Sequence, residues 1–303
     1  MANLIAILGP TASGKTRLAA RLAANRKSEI LSADSRQVYR RMDLGTGKDL
    51  SDFVVDGVLV PHHLIDLVDP DQEFSVFEYQ RAFYETFSRL ASHGVLPFLV
   101  GGTGLYLESV LLGYRMPHVP ADPELRRRLA EENPADLILR LKACKPFLHN
   151  QSDLTDRERL IRAIEIAEYS RNHGSREVQK KPFVAPFTIG IRIERTLLRE
   201  RITVRLRNRL EAGMVEEVSR LHASGISWER LDRFGLEYRF VSRFLRGVLG
   251  YDEMFRLLNT AIHQFAKRQE TWFRRMERRG VAIHWIDGPD EVAAARLLRE
   301  ACP

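Results

Sequence analysis

The sequence GPTASGKT at residues 9–16 decides the fold, because it is a complete G-x-x-x-x-G-K-[ST] phosphate-binding loop. The apolar run LIAIL at residues 4–8 precedes it and the helical pattern RLAARLA at residues 17–23 follows it, so strand, loop and helix occur in the required order. The glycines let backbone N–H groups surround an anion, the lysine adds a positive charge, and the threonine hydroxyl is placed to bind Mg²⁺. The predicted phosphate-binding residues are Gly9, Pro10, Thr11, Ala12, Ser13, Gly14, Lys15 and Thr16. The motif indicates a polyphosphate, which can be a nucleoside triphosphate or a diphosphate attached to another group.

Two further strands are expected to end beside this loop. The segment EILSA at residues 29–33 reads as a strand that delivers Asp34, and LPFLV at residues 96–100 reads as a buried strand followed by GGTG, which contains Thr103. In open α/β sheets ligands bind outside the carboxyl ends of the strands, so we expect Asp34 and Thr103 near the phosphate loop. Asp34 can also cap a helix that begins at Ser35.

The composition fits a globular protein of one large domain or two smaller ones. The chain has 303 residues, of which 44% are hydrophobic and 29% are charged. No apolar run is long enough to span a bilayer and no signal pattern is evident, so we expect a cytoplasmic protein with no membrane partner. The net charge of +7 favours a polyanionic partner, and Arg and Lys are concentrated in residues 192–209, 230–246 and 267–279.

The rest of the chain alternates between strand and helix patterns, with one interruption. A strand is predicted over 53–60, and a helix with a Ser75/Glu78 capping box is predicted over 75–92. A Pro-bounded, charged segment then carries helical patterns at 123–132, 134–143 and 156–172, before strands at 187–193 and 282–286. The predicted fold is α/β: a P-loop NTPase-like parallel sheet core (residues 1–117), an inserted helical subdomain (118–182), and a part that completes the core and adds basic helices (183–303).

Six ordered motifs together resemble the tRNA dimethylallyltransferase family. They are GPTASGKT at 9–16, SADSRQVY at 32–39, MDLGT at 42–46, VGGTGLY at 100–106, RLIRAIE at 159–165 and KRQETWFR at 267–274. The resemblance covers nearly the whole chain. It implies transfer of a dimethylallyl group from dimethylallyl diphosphate to N6 of the adenosine immediately 3′ of a tRNA anticodon, with Mg²⁺ and release of diphosphate.

The resemblance also assigns roles to individual residues. Asp34 would accept the proton of the weakly nucleophilic amine. Thr103 would contact the bridging oxygen of the diphosphate, and Arg205 of the R-I-x-x-R pattern at 201–205 would stabilise the leaving group together with Mg²⁺ on Thr16. The residues matched to tRNA contacts are Asp34, Ser35, Arg36, Gln37, Thr103, Arg126, Glu158, Arg159, Leu160, Ile161, Arg162, Lys267, Arg268, Gln269, Thr271, Trp272 and Arg274, together with the segment 233–238. Trp272 can instead pack in the core with Phe265 and Met276. The expected partners are the anticodon stem-loop of tRNA and dimethylallyl diphosphate, and we expect a monomer.

Two segments depart from the family pattern, and two other enzyme classes remain open. The segment RFGLEYR at 233–239 stands where a Gly-Tyr-Lys-Glu-like sequence is common, and Thr46-Gly47-Lys48 replaces Thr-Ala-Lys. An isopentenyltransferase acting on free adenine nucleotides would share the phosphate loop, Asp34 and the Gly-Gly-Thr motif, but would not need basic C-terminal helices. A small-molecule P-loop kinase is the other alternative, and an RNA-binding protein without catalysis would need neither Asp34 nor the phosphate loop.

Overall fold

A computed structural model of the chain describes residues 2–144, 157–173 and 181–301. The chain divides into two compact units. One consists of Met1–Tyr114 with Lys181–Pro303, and the other of Arg115–Lys180. The first unit contains a parallel sheet with helices, and the described part of the second is helical.

A sheet of six parallel strands forms the centre of the first unit. In chain order the strands of the described residues are β1 Leu4–Leu8, β2 Ile30–Ala33, β3 Val54–Val55, β4 Val58–Leu59, β5 His62–His63, β6 Phe98–Gly101, β7 Pro186–Arg192 and β8 Ile283–Asp287. The sheet order is β5-β2-β6-β1-β7-β8, and β3 pairs with β4 separately. Strands β1, β2 and β6 are buried throughout, as expected for parallel strands covered on both faces. The predicted α/β parallel core is confirmed.

The position of β6 between β1 and β2 brings three loops together. Gly101, the last residue of β6, pairs with Leu8 of β1 on one side and with Ala33 of β2 on the other. The loops that follow these strands therefore begin side by side. A side chain at residue 101 would put its Cβ 2.2 Å from the carbonyl oxygen of Ala33, so only glycine permits this close approach.

Residues 53–60 form a hairpin, and the single strand predicted there is wrong. A 3₁₀ helix at Leu50–Phe53 is followed by the antiparallel pair β3 and β4. Asp56 and Gly57 connect the two strands with φ values of 50° and 79°. Consecutive positive φ values fit a type I′ turn, for which Asp-Gly is a favoured sequence, so the dipeptide overrides the apolar run around it.

The helices of the first unit cover both faces of the sheet and form the C-terminal part. They are α1 Lys15–Asn25, α2 Val76–Ser92, α3 Gly104–Leu111, then, after the three helices of the second unit, α7 Arg195–Glu211, α8 Met214–Ala223, α9 Trp228–Arg233, α10 Leu236–Leu245, α11 Tyr251–Arg278 and α12 Glu291–Ala301. The capping box predicted for α2 is confirmed, since Glu78 N–H donates to Ser75 Oγ (3.4 Å) and Ser75 N–H donates to Glu78 Oε2 (2.5 Å). Among the described residues, no helix combines the length and apolar character needed to cross a membrane.

The second unit contains α4 Pro123–Glu131, α5 Pro134–Cys144 and α6 Arg157–His173. Its core consists of Leu125, Leu129, Leu137, Leu141, Leu160, Ile161 and Ile164. The predicted helix over 156–172 corresponds to α6, and residue 156 itself lies outside the described residues. Glu165, which is 2% exposed, accepts hydrogen bonds from the N–H of Asp122 and from the guanidinium groups of Arg126 and Arg162.

The fully buried carboxylate of Glu108 joins α3 to α11. Its Oε2 accepts from Trp272 Nε1 (2.9 Å), and its Oε1 accepts from Arg279 Nη1 (2.6 Å). Arg275 Nε lies 3.6 Å from the same Oε1. A buried carboxylate is tolerated only with such partners, so this cluster determines how α11 lies against the helix that follows the GGTG loop.

Replacing Glu108 by alanine should lower the free energy of unfolding by about 2–3 kcal/mol, since hydrogen bonds to a charged, buried group are lost. Glu277→Ala is the matched control, because Glu277 also accepts a tryptophan N–H, that of Trp285, at 2.7 Å, but at an exposed position. The control should lose less than about 1 kcal/mol. Urea unfolding measures both variants, and equal losses would contradict the assignment.

Candidate active site

The phosphate loop connects β1 to α1 with the backbone geometry that anion binding needs. Gly14, the residue before α1, has a φ of 82° and Ala12 has a φ of 60°. Among the described residues, no side chain caps the start of α1. The N–H groups of its first turn are therefore left for an anion, and the helix dipole favours negative charge there.

Asp34 and Thr103 meet at the ends of β2 and β6. Asp34 Oδ1 accepts from the N–H of Arg36 (3.0 Å), and the Thr103 hydroxyl accepts from the N–H of Ser35 (3.0 Å). Residues 35–38 form turns and no helix begins at Ser35, so the alternative of Asp34 as a helix cap is wrong. The turn at residues 34–36 thus joins Asp34 and Thr103 in one hydrogen-bonded unit beside the phosphate loop.

Arg205 on α7 reaches the phosphate loop, as the sequence predicts for a diphosphate-binding arginine. Its Nη1 donates to Thr11 Oγ1 (3.3 Å), and its Nη2 donates to Asp49 Oδ2 (2.5 Å). Arg209 lies one helical turn later and donates from Nη2 to the same Asp49 oxygen (3.3 Å), with 12% of its side chain exposed. Sequence analysis missed Arg209, although its i+4 spacing from Arg205 puts both on one face of α7.

Positive charge is concentrated at this site. Burial lowers the pKa of Lys15 to about 8; Asp34 opposes this shift, and the nearby Arg205 and Arg209 add to it. Burial and the charge of Arg205 also lower the pKa of Arg209. Although burial disfavours its charge, Asp49 has a pKa below the usual value because of the two arginines. Cations held this close repel one another, so a bound polyanion would relieve the repulsion and be bound tightly.

Glu237, which belongs to the segment 233–238 matched to tRNA contacts, lies next to the phosphate loop. It lines a narrow cavity together with Thr11, Ala12, Ile202, Arg205, Leu206, Arg209 and Ile262. Burial raises the pKa of Glu237, and the charge of Arg209 opposes that shift. The cavity therefore joins the phosphate loop to an apolar wall formed by α7 and α11.

Gln269 and Trp272, both predicted to contact tRNA, are engaged within the protein. Gln269 is 6% exposed, accepts from the N–H of Thr11 (2.8 Å) and donates to the carbonyl of Gly102 (2.9 Å). It thereby links α11 to the phosphate loop and to the GGTG loop. Trp272 is half-buried, donates to Glu108 and lies so close to Gly104 that a Cβ there would be 2.3 Å from its ring. Packing against α3 accounts for Trp272, while Phe265 stays 38% exposed.

Apart from the segment 233–238, which lies at the end of α9 and the start of α10, the remaining predicted tRNA contacts fall into three groups. Ser35, Arg36 and Gln37 are half-buried in the turn after Asp34. An exposed face of α11 carries Lys267, Arg268, Thr271 and Arg274. The others belong to the second unit, where Arg126 and Arg162 bind Glu165, Glu158 and Arg159 are exposed, and Leu160 and Ile161 are buried in the core. Leu160 and Ile161 could therefore contact RNA only through their backbone.

The residues near the loop fit a Mg²⁺ ion that is held mainly by the oxygens of a bound diphosphate. The part of the chain that the structure describes contains no group of three His, Cys, Asp or Glu that could hold a metal. The Thr16 hydroxyl has no hydrogen-bond partner among the described residues and is half-buried at the start of α1. One hydroxyl together with phosphate oxygens and waters is a donor set that suits Mg²⁺.

Comparisons with known proteins match the chain to one family. A family model described as IPP transferase matches residues 37–276, and another described as isopentenyl transferase matches residues 2–56. Among curated proteins, tRNA dimethylallyltransferase 1 of Syntrophus aciditrophicus is 56% identical over 299 residues, covering 99% of this chain and 98% of its own length. The tRNA dimethylallyltransferase 2 of Trichlorobacter lovleyi is 56% identical over 297 residues, covering 98% and 96%.

A solved structure agrees with these sequence matches. The crystal structure of the full-length tRNA isopentenylpyrophosphate transferase from Bacillus halodurans is similar with a TM-score of 0.68 and 32% sequence identity. The match covers 98% of this chain and 97% of that one, so it includes the sheet, the helical C-terminal part and the second unit.

Inorganic diphosphate should bind with uptake of a proton at pH values near and above about 8, because the anion favours the charged form of Lys15 and raises its pKa. Affinity should fall as the pH rises through this range. Calorimetry in buffers of different ionisation enthalpy measures the uptake. In the Lys15→Arg variant the side chain stays charged at all these pH values. Any proton exchange that this variant shows therefore comes from diphosphate itself and can be subtracted. Equal proton uptake by the two proteins would contradict the prediction.

Proposed function

Because this chain belongs to the IPP transferase family, we propose that it is a tRNA dimethylallyltransferase. It transfers the dimethylallyl group of dimethylallyl diphosphate to N6 of the adenosine immediately 3′ of the tRNA anticodon, and it releases diphosphate. The observation that carries this proposal is the pairing of Gly101 with both Leu8 and Ala33, which brings an anion-binding loop, a carboxylate and a hydroxyl to one edge of the sheet.

On the acceptor side, Asp34 acts as the general base. The N6 lone pair attacks C1 of the dimethylallyl group, the new N–C bond forms as the C–O bond breaks, and the leaving diphosphate takes the bonding electrons. The N6 proton passes to the Asp34 carboxylate. The turn bond from Arg36 and the contact between Ser35 and Thr103 hold this carboxylate in place, so it needs little reorganisation during the reaction.

On the donor side, the phosphate loop and the cations around it stabilise the leaving group. The N–H groups at the start of α1, the ammonium of Lys15 and the guanidinium of Arg205 would bind the diphosphate oxygens. Arg205 lies at this loop, since its Nη1 donates to Thr11 Oγ1. Ile202, Leu206 and Ile262 present apolar side chains beside Thr11 and Arg205, and the hydrocarbon part of the donor would lie against them.

Thr16 would hold Mg²⁺ against the diphosphate, and the ion would supply charge neutralisation of the leaving group. The Thr16 hydroxyl, which has no hydrogen-bond partner within the described parts of the chain, supports this role.

For the tRNA, the exposed face of α11 supplies phosphate contacts. Lys267, Arg268 and Arg274 lie along it, and Phe265 offers a partly exposed aromatic surface among them. An adenine can react only after it leaves the stack, and basic residues with aromatic neighbours hold the flanking strand when a base is turned out. Because the proposed acceptor adenosine lies next to the anticodon, the anticodon stem-loop is the part of tRNA that this face would bind. A cytoplasmic location and a monomeric state stay predictions from the sequence.

A transferase acting on free adenine nucleotides is the second candidate, and the match of an isopentenyl transferase model to residues 2–56 is the observation behind it. That match includes the phosphate loop and Asp34 but none of the basic C-terminal helices. The curated relatives that span the whole chain are named for tRNA, which favours the tRNA substrate. The family models and the relatives reported above are all transferases of this kind, which weighs against the kinase alternative.

Labelled dimethylallyl diphosphate with Mg²⁺ should label unmodified tRNA that carries adenosine 3′ of the anticodon, and should leave AMP and ATP unlabelled. The Asp34→Asn variant should lose at least about 100-fold in rate, the lower range for removal of a general base, while it still binds tRNA. Scintillation counting of each acceptor and a filter-binding assay measure the two properties.

Asp69→Asn is the matched control, because Asp69 is a surface carboxylate, 46% exposed and paired with Arg40. It should keep the wild-type rate. Labelling of AMP or ATP instead of tRNA would move the function to the second candidate, and full activity of Asp34→Asn would remove Asp34 as the base.

The Thr16→Ala variant should need a higher Mg²⁺ concentration for half-maximal rate, and Thr16→Ser should behave like the wild type because it keeps the hydroxyl. Titration of Mg²⁺ at fixed, saturating concentrations of both substrates gives this value. An unchanged Mg²⁺ requirement in Thr16→Ala would exclude Thr16 as a ligand.

A further inference from the structure

The segment DLGTGKD at residues 43–49, here called the 43–49 loop, lies directly beside the arginine pair of the active site. The carbonyl of Gly47 accepts from Arg205 Nη2 (3.4 Å) and from Gln37 Nε2 (3.1 Å). The Asp49 carboxylate accepts from both Arg205 and Arg209. The position of this loop therefore sets where both guanidinium groups lie relative to Thr11.

A buried carboxylate on α8 holds the first half of the loop. Glu217 is 4% exposed, and its Oε2 accepts from the N–H groups of Asp43 (2.9 Å) and Leu44 (2.7 Å). Its Oε1 accepts from the N–H of Gly45 (3.0 Å) and from the hydroxyl of Tyr238 (2.6 Å). Successive backbone N–H groups that converge on one anion form a nest, and here the anion is the protein's own carboxylate. Charge-assisted hydrogen bonds of this kind are strong, so the loop is firmly held.

The Tyr238 side chain fits only because residue 45 is glycine. A Cβ at Gly45 would lie 2.5 Å from the Tyr238 ring, and the ring itself is 1% exposed. Burial raises the pKa of the Tyr238 hydroxyl well above its usual value, and the charge of Glu217 adds to this. The hydroxyl is therefore a neutral donor to Glu217, and α10 and α8 hold the loop together.

The second half of the loop is held by Lys48, whose side chain is fully buried. Its Nζ donates to the carbonyl of Tyr39 (2.9 Å), to Asp43 Oδ1 (2.8 Å) and to Asp66 Oδ1 (2.5 Å). With Glu217 on one side and Lys48 on the other, the loop cannot shift without separating buried charges from their partners. Gly47 and Asp49, which flank Lys48, are thus presented to the arginines at fixed positions.

We propose that Glu217, with Tyr238, is a positioning residue for diphosphate binding: it fixes the 43–49 loop, so that Gly47 and Asp49 orient Arg205 and Arg209 toward the phosphate loop. The proposal deepens the proposed function, because the diphosphate is the leaving group of that reaction. Glu217 itself contacts no substrate, and it acts through the loop on the two arginines.

The test measures the Kd of inorganic diphosphate by calorimetry, together with the KM of the prenyl donor and the kcat. Glu217→Gln should raise the Kd and the donor KM about tenfold, a size typical of residues that orient ligand-binding groups, and should leave the KM for tRNA unchanged. Glu216→Gln, an exposed glutamate at the adjacent position of α8, is the matched control and should match the wild type. Tyr238→Phe removes one donor to Glu217 and keeps the ring, and its Kd should rise about threefold.

A double-mutant cycle separates positioning from a general effect on stability. If Glu217 acts through the two arginines, the Glu217→Gln change should raise the Kd less once Arg205 is replaced by alanine, and should add almost nothing once Arg205 and Arg209 are both replaced. Additive effects in this cycle, or a wild-type Kd in both Glu217→Gln and Tyr238→Phe, would overturn the proposal.

Failure of the Glu217 proposal can be told apart from failure of the proposed function. A wild-type protein that binds diphosphate but does not prenylate tRNA would contradict the function alone. In that case the cycle on diphosphate affinity still decides the role of Glu217, since it requires no turnover.

Discussion

The active site depends on one constraint of the sheet, the place of β6 between β1 and β2. Gly101 pairs with Leu8 and with Ala33, and it passes so close to the Ala33 carbonyl that no side chain fits. Parallel strands in this register end together, so the loops that follow them must meet. One loop supplies an anion site, one a carboxylate and one a hydroxyl. The chemistry of prenyl transfer needs all three within the reach of one substrate pair.

Helices of the C-terminal part contribute side chains to the site although they are far from the phosphate loop in the sequence. Arg205 on α7 contacts Thr11, and Gln269 on α11 links Thr11 to Gly102. Buried carboxylates hold these helices and loops in place, as Glu108 does between α3 and α11 and as Glu217 does for the 43–49 loop. Hydrogen bonds to these carboxylates therefore fix the relative positions of segments that are far apart in the sequence.

Sequence analysis predicted the parallel core and the family, because each of the three loops carries a local motif after a recognisable strand. It was wrong for residues 53–60, where the Asp-Gly turn outweighs the apolar run. Nothing in the sequence indicated that Glu217 binds the 43–49 loop, because the loop residues that it contacts are more than 170 residues away along the chain. Gln269 shows the same limit, since its motif position gave no sign that its amide is used inside the protein.

The most direct test of the account is a crystal structure with the anticodon stem-loop and an unreactive analogue of dimethylallyl diphosphate. We predict that the diphosphate lies on residues 9–16 with Arg205 against it, and that adenine N6 lies within hydrogen-bond distance of Asp34 and faces C1 of the analogue. A diphosphate bound elsewhere, or an adenine whose amine lies beyond the reach of Asp34, would contradict the account.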